Sequence, residues 1–534
     1  METLLITQTI PTMKNLFLFT LCIIFSTSCF ATTITWNGGT GKWTRASQWS
    51  PAQVPGPNDD VIIPSGFVHL LNGQQTVKSL HLQSGRLYIA QGKSLRVQQS
   101  QSSRPIENNG TIENYGTLEI INPTQNFTTG LYNTGTFING SSASLLIQNV
   151  TGWGFHTLPG GYANNQGDWT IDNASIIGLW NEEIFVSLSE INIVDCGSIG
   201  LFNEGSIINQ DLLMVSNTGS TGIFNEGQID NTSIGTLQIV SYGTNGIENR
   251  SSGLIENDGG SIIFGGTSGS NTIFNSGDIF NLDCGEIHIN KTLRNLGSGL
   301  FRNQAWLFST STTNHVSTIN ATFINNGVIH DPEDAFTWVN MQNNGIIVLP
   351  FQGSVFVNQP VVNALGLGSL NGFNIHYWLD PTSSFKVGSY NENNNEFTPN
   401  SSSLGLTSIQ VQIYFGSCGN RYLTIPIPGG IQASPSPLVT PGDTQQFPIS
   451  SSAQNIDLFP NPAHDFVTIK SLTSESEIYQ IQIFDASGKL VETQTPKDQI
   501  NKVVINVQNL PSGLYWIKVV GETGELKMKK LMVE

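Results

Sequence analysis

Residues 106–120 read IENNGTIENYGTLEI. From Ile106, every second residue is Ile, Asn, Gly, Ile, Asn, Gly, Leu and Ile, whereas Glu107, Asn109, Thr111, Glu113, Tyr115, Thr117 and Glu119 fill a mostly polar alternate set. A period of two marks a half-buried strand, yet Asn and Gly ordinarily weaken strands and favour turns. The repetition of the pattern settles the conflict. LYNTGTFIN starts at Leu131, LFNEGSIIN at Leu201, IFNEGQIDN at Ile223, IFNSGDIFN at Ile273 and FINNGVIHD at Phe323, with looser copies at Leu179, Ile247 and Leu293. Starts at 179, 201, 223, 247, 273 and 293 are 22, 22, 24, 26 and 20 residues apart. A regular period in this range is the mark of a solenoid.

Each unit holds a further short strand, such as LLMVS (212–216), LQIVS (237–241) or EIHIN (286–290), and none has a helical period. Two or three strands per turn, stacked at about 4.8 Å, make a right-handed parallel β-helix. Glycine is expected at the corners with φ above zero, and inward Asn side chains are expected to stack as an amide ladder. About ten rungs correspond to a rod on the order of 50 Å long. At that spacing Cys196 and Cys284 lie roughly 20 Å apart, beyond disulfide reach, and both are expected as free, buried thiols.

The chain has 534 residues, a net charge of −17 and only 11% charged residues, with 55 Gly. No basic run precedes the last few residues, which argues against a nucleic-acid or membrane-surface partner. MKNLFLFTLCIIFSTSCFA (13–31) has a secretory-signal layout, too short to span a bilayer. Cleavage is expected after Ala31, Met13 is an alternative start, and lipidation of Cys29 is the alternative processing. Residues 32–104 then form an N-terminal cap and first rungs, 105–350 the repeats, 351–430 a β-rich extension, 431–454 a Pro/Ser/Gln/Gly-rich linker, and 455–534 a small antiparallel β-sandwich. The segment with Trp36, Trp43 and Trp49 resembles the W-G-x-W-x-W opening of exported bacterial β-helix proteins, with Gln48 in place of the usual Asn.

The C-terminal strands carry LFPNPAHDFVTI (458–469), IFDASGKLV (483–491), LPSGLYWIKV (510–519) and KMKKLMVE (527–534). In this order they closely resemble the type A C-terminal sorting domain of the type IX secretion system. The resemblance implies an address read by the secretion machinery at the outer membrane, often removed and replaced by a link to surface polysaccharide. It also implies that Gly488, Lys489, Gly513, Tyr515, Lys529 and Lys530 belong to the recognised unit.

Chemistry is sparse. NGGTGK (37–42) lacks the Ser or Thr of a phosphate loop, because Trp43 follows. HDPEDAF (330–336) clusters His330, Asp331, Glu333 and Asp334, which suit a cation or an acid and base pair, and PNDDV (57–61) and NENNNEF (391–397) suit calcium, but their composition is that of ordinary turns, so no cofactor or metal is expected. The residue after the first apolar position of each repeat is Tyr132, Trp180, Phe202, Phe224 and Phe274, a column expected to face outward and broken by Glu248, Arg294 and Ile324. Exposed aromatic rings grip sugar rings or apolar protein surface. The expectation is therefore a monomeric, non-catalytic adhesin-like binding or structural protein, exported to the cell surface or secreted, with surface polysaccharide or a host or environmental glycan as partner. The alternative is a polysaccharide-degrading β-helix lyase or hydrolase, which needs paired carboxylates or a base beside a charge-neutralising group.

Overall fold

The computed structural model describes residues 32–98, 104–122, 128–266, 269–311, 315–319, 321–334, 336–338, 341–351, 355–356, 361–362, 373–379, 386–391, 396–433, 456–459, 463–471, 478–485, 490–496, 502–521 and 526–533. The chain divides near Leu349 into two compact units. The expected signal segment, the 434–454 stretch of the linker, and Gly488 and Lys489 lie outside the described residues.

The first unit is a parallel β-solenoid. Every turn contributes one strand to each of three sheets, which contain 15, 14 and 13 strands among the described residues. Sheet A runs from Thr33–Trp36 to Phe336–Trp338, sheet B from Thr40–Lys42 to Met341–Asn343, and sheet C from Gln74–Val77 to Ile346–Val348. The stack exceeds the ten rungs expected from the Asn-Gly period because its first turns, through Gln98, coil without that motif. Inward positions are filled by one aliphatic or aromatic side chain per strand, as in Leu201, Ile207 and Leu213, all at most 1% exposed. At the N-terminal end Trp49–Ser50 pairs antiparallel with Thr33–Trp36 and covers the edge of sheet A. Trp36 and Trp43 meet Trp49 edge-on with centroids 4.8 and 5.2 Å apart, and Trp49 Nε1 donates to Trp43 O at 2.7 Å.

The expected amide ladder forms twice. In sheet A it runs Asn181, Asn203, Asn225, Asn249, Asn275 and Asn295, each Nδ2 donating to the next Oδ1 at 2.7–2.9 Å. In sheet B it runs Asn209, Asn231, Asn257, Asn281, Asn303, Asn325 and Asn343 at 2.7–2.8 Å. Both Asn108 and Asn114 of the opening stretch join such columns, donating to Asn133 and Asn139. The Asn-x-Gly motif thus marks two different corners of the triangle, and the copy at Phe323 belongs to sheet B, as does Ile324. Ile324 therefore does not interrupt the aromatic column.

The role expected for the motif glycines needs correction. Gly110, Gly135, Gly205 and Gly227 do not have positive φ. A Cβ on any of them would lie 2.1 Å from a carbonyl oxygen of the preceding rung. Crowding between rungs, not backbone handedness, excludes a side chain there. Left-handed backbone occurs instead toward the third corner, at the penultimate residue of sheet C strands, at Asn149, Asn173, Asp195, Asn217 and Ser241, with φ between 53° and 61°. Asn and Asp tolerate this region because the short polar side chain bonds locally. Asn173 donates to Asn149 at 2.8 Å and Asn217 to Asp195 at 3.0 Å.

Cys196 is free and buried as expected, but Cys284 is disulfide-bonded rather than free. The rung spacing bore only on a bond between Cys196 and Cys284, so it left other partners for Cys284 open.

The second unit contains small antiparallel sheets. Phe373–Leu379, Ser408–Phe415 and Asn420–Pro426 form one, and Val361–Val362, Gly388–Asn391 and Glu396–Pro399 another. At the C-terminal end, Ile456–Phe459, Phe466–Ser471 and Lys502–Asn506 form a three-stranded sheet. Leu490–Gln494, Ile478–Asp485, Gly513–Gly521 and Leu526–Val533 form a four-stranded one. Their shared core includes Val467, Ile469, Ile481, Ile483, Ile505, Ile517 and Leu531.

Candidate functional site

Strand alternation and parallel stacking together build an outward-facing column on sheet A. In sheet A the register aligns Glu107, Tyr132, His156, Trp180, Phe202, Phe224, Glu248, Phe274 and Arg294 in one column. Flanking residues such as Leu201 and Asn203 are fully buried, whereas Tyr132, Trp180, Phe202, Phe224 and Phe274 are half-buried on the outer side. The five aromatic residues singled out in the sequence are thereby brought into one column.

Two members were missed. His156 fills the rung between Tyr132 and Trp180, and Trp153, on the same strand, meets His156 and Trp180 edge-on at 5.1 and 4.8 Å. The WGFHT strand lacks the Asn of the motif, so only its register with neighbouring rungs reveals its place. The ring of Trp180 lies between His156, stacked nearly parallel 4.2 Å away at 10°, and Phe202, 5.3 Å away at 30°. Phe202 meets Phe224 edge-on at 5.1 Å. Each such pair contributes about 0.5–1.5 kcal/mol beyond burial.

Polar groups border the rings. His156 Nε2 and Glu182 Oε1 are 2.5 Å apart, and Trp180 Nε1 donates to Glu204 Oε2 at 2.7 Å. Burial holds the His156 imidazole below its ordinary pKa, against the opposing pull of the Glu182 carboxylate. Arg104 lies over Tyr132 at 3.6 Å and Arg250 over Phe224 at 5.0 Å. Arg294 sits 5.6 Å from the Phe274 centroid, so the two residues that break the aromatic run, Glu248 and Arg294, supply charge to it.

The other sequence candidates serve local structure. Asp59 accepts from the Gly56 amide at 2.8 Å, and Asp60 pairs with Lys78 at 2.9 Å. Asp331 is fully buried where its own carbonyl accepts from Asp334 N at 3.2 Å, closing a turn. Of NENNNEF, residues 392–395 lie outside the described residues. Among the described residues no group of three or more His, Cys, Asp or Glu side chains is arranged to hold a metal ion, and no helix is long and apolar enough to cross a membrane.

In the C-terminal sheets Tyr515 is buried, its hydroxyl donating to Pro511 O at 2.7 Å. Gly513 opens the central strand opposite Val533, while Lys529 and Lys530 pair in register with Ile517 and Trp516. Residues 457–534 match the family described as the secretion system C-terminal sorting domain. The chain is thus a β-solenoid protein sorted for export by the type IX system, to the cell surface or the medium. No curated protein matches it.

Three solved structures are similar over part of the chain. One is the Bacteroides ovatus mixed-linkage glucan utilization locus SGBP-B in complex with mixed-linkage heptasaccharide, 12% identical over 36% of this chain and 48% of its own, with a TM-score of 0.13. Dimeric latent PorU from Porphyromonas gingivalis is 14% identical over 34% of this chain and 19% of its own, with a TM-score of 0.12. DIP-gamma IG1+IG2 is 8% identical over 34% and 95%, with a TM-score of 0.11. The chain therefore spans about half the length of the first and a fifth of the second, and at these TM-scores the likeness carries no argument about fold or ligand.

Proposed function

We propose that the type IX sorting domain delivers a non-catalytic, adhesin-like binding rod to the cell surface, and that the aromatic column of sheet A is its contact surface. The observation that supports this reading is the run of rings from Tyr132 through Phe224 on the outer side of sheet A, half-buried except for the buried His156. The rings are held by packing against neighbouring rungs, so a partner meets a preorganised surface and little side-chain freedom is lost on contact. Trp, Tyr and Arg are also the residue types that anchor protein interfaces. The rungs repeat the contact at about 4.8 Å, which suits a partner laid along the solenoid axis.

The test compares adhesion of the full chain with that of a Phe202→Ala, Phe224→Ala double variant on cell surfaces and an immobilised glycan panel. Loss of adhesion at unchanged melting temperature supports the reading. Undiminished adhesion, or release of reducing ends or unsaturated sugars from the panel by the unaltered protein, sinks it.

A further inference from the structure

Charge is distributed unevenly along the solenoid. Residues 32–104 hold seven of the 22 Lys and Arg residues and only two of the 39 Asp and Glu residues, a net charge of +5 in a chain of −17. Lys78, Arg96 and Arg104 are paired with Asp60, Glu119 and Glu107. Lys42, Arg45 and Lys93 form no ion pair among the described residues. Arg86 uses only its Nη2, which donates to both carboxylate oxygens of Glu113 at 2.6 Å, and its side chain stays 47% exposed. Most of the basic excess is therefore left without an internal counter-charge.

The fold sets part of this excess beside aromatic rings. In the first rungs of sheet B the outer side carries two columns, Thr40–Phe67–Arg86 and Lys42–His69–Tyr88–Glu113. Lys42 is exposed at the end of the first strand, and Arg45 follows it across a turn in which Arg45 N donates to Lys42 O at 3.0 Å. Lys93 stands in the turn that leaves the third strand, where its amide donates to Ala90 O at 3.0 Å. The Arg86 guanidinium lies 4.3 Å over the Phe67 ring, and Phe67 meets His69 at 3.8 Å. Tyr88 meets His69 at 6.0 Å and Tyr115 at 5.5 Å, and all four rings are half-buried.

We propose that the first rungs of sheet B bind a carboxylate-bearing polysaccharide, Lys42 and Arg86 meeting its carboxylates and the rings of Phe67, Tyr88 and Tyr115 flanking its sugar units. This goes beyond the sheet A reading, because it uses another face and another chemistry. Ammonium and guanidinium groups with unused N–H donors bind carboxylates through charge-assisted hydrogen bonds. Lys42 and Arg86 stand two rungs apart, roughly 10 Å along the axis, so they meet different carboxylates of a polymer laid along the rod. The acidic remainder of the chain repels such a polymer and confines it to this end. Successive rings are tilted by 43°, 59° and 39°, which suits the C–H rims of sugar rings better than the parallel stacking of nucleic-acid bases.

The probe is a fluorescein-labelled galacturonic acid hexamer, titrated against the full chain by fluorescence anisotropy at low and physiological salt. Lys42→Gln and Arg86→Gln are each expected to weaken binding ~threefold to tenfold, the effect shrinking as salt rises. Arg86→Lys, which keeps the charge and loses the planar fork, is expected to fall between. A fully methyl-esterified hexamer keeps the sugar rings without the charge and is expected not to bind. Unchanged affinity of Lys42→Gln and Arg86→Gln for the acid hexamer overturns the proposal. So does equal binding of the esterified hexamer, or tighter binding of a single-stranded DNA hexamer through the same two side chains. The Phe202→Ala, Phe224→Ala variant is expected to keep its affinity for the acid hexamer. If it loses that affinity, the polymer sits on the sheet A column, and the basic site falls while the binding-rod reading stands. If hexamer binding depends on Lys42 and adhesion survives loss of both rings, the basic site stands and the sheet A reading falls.

Discussion

Asn181 Oδ1 is buried without a donor because its column neighbour one rung earlier is Thr157, whose hydroxyl is likewise buried and unpaired. The sheet B column has the same defect, where Ser187 precedes Asn209 and leaves Asn209 Oδ1 without a donor. Everywhere else between Asn181 and Asn295, and between Asn209 and Asn343, an amide meets an amide. Completing the columns with Thr157→Asn and Ser187→Asn is expected to stabilise the solenoid by ~1 kcal/mol each, the net worth of a buried hydrogen bond. Urea denaturation checks this, and a midpoint that falls for both variants contradicts the ladder account.

The opposite change removes a link. Asn225 accepts from Asn203 and donates to Asn249, to Gly227 O and to Leu254 O. Asn225→Ala strands the neighbouring amide groups in the core and is expected to cost about 2–4 kcal/mol, read as a lower urea midpoint. A cost near zero would mean that the ladder is ornamental.

Substitutions at two positions separate crowding from handedness. Gly227→Ala places a Cβ 2.1 Å from Gly205 O and is expected to destabilise by ~3 kcal/mol or more, although the local φ is not positive. Asn217, at φ 53°, is expected to lose about 1–2 kcal/mol on replacement by Ala and less on replacement by Gly. Thermal melts of the three variants decide the order.

The solenoid has a pH dependence with a definite sign. Burial, then the Asp230 carboxylate, holds Glu256 above its ordinary pKa, and burial, then Asp283, does the same for Asp258. These groups bind protons more tightly folded than unfolded, so their contribution to stability is greatest at acid pH. It falls as pH rises from the ordinary carboxylate range through the raised folded values, and is constant above them. Glu256→Gln and Asp258→Asn are expected to raise the melting temperature at pH 7 and to flatten its decline between pH 4 and 7, a range of about three units around carboxylate titration. Unchanged profiles would show that the carboxyl groups are solvated.

Cys196 is expected to resist thiol reagents in the folded protein. Its side chain is 2% exposed, and burial pushes the thiol pKa up to about 12, so almost no thiolate exists at neutral pH. Reaction with a chromogenic disulfide is expected only on unfolding. Rapid labelling of native protein at Cys196, located by peptide mass, contradicts this.

The sequence by itself determined the strand period, the coil and the burial of its asparagines. Alternation about Asn108 and Asn114 leaves those side chains nowhere but the core, and a buried amide requires a partner that the next identical rung supplies. The dispersed C-terminal motifs likewise identified the export domain. Tertiary structure alone decided why Gly205 and Gly227 are glycine, which corner turns left-handed at Asn217 and that His156 belongs among the rings. The reason is physical: each of these depends on atoms brought into contact from neighbouring rungs some twenty or more residues apart. A local pattern records what a residue does within its own strand, whereas the inter-rung distance that forbids a Cβ or stacks a ring exists only once the turns are closed.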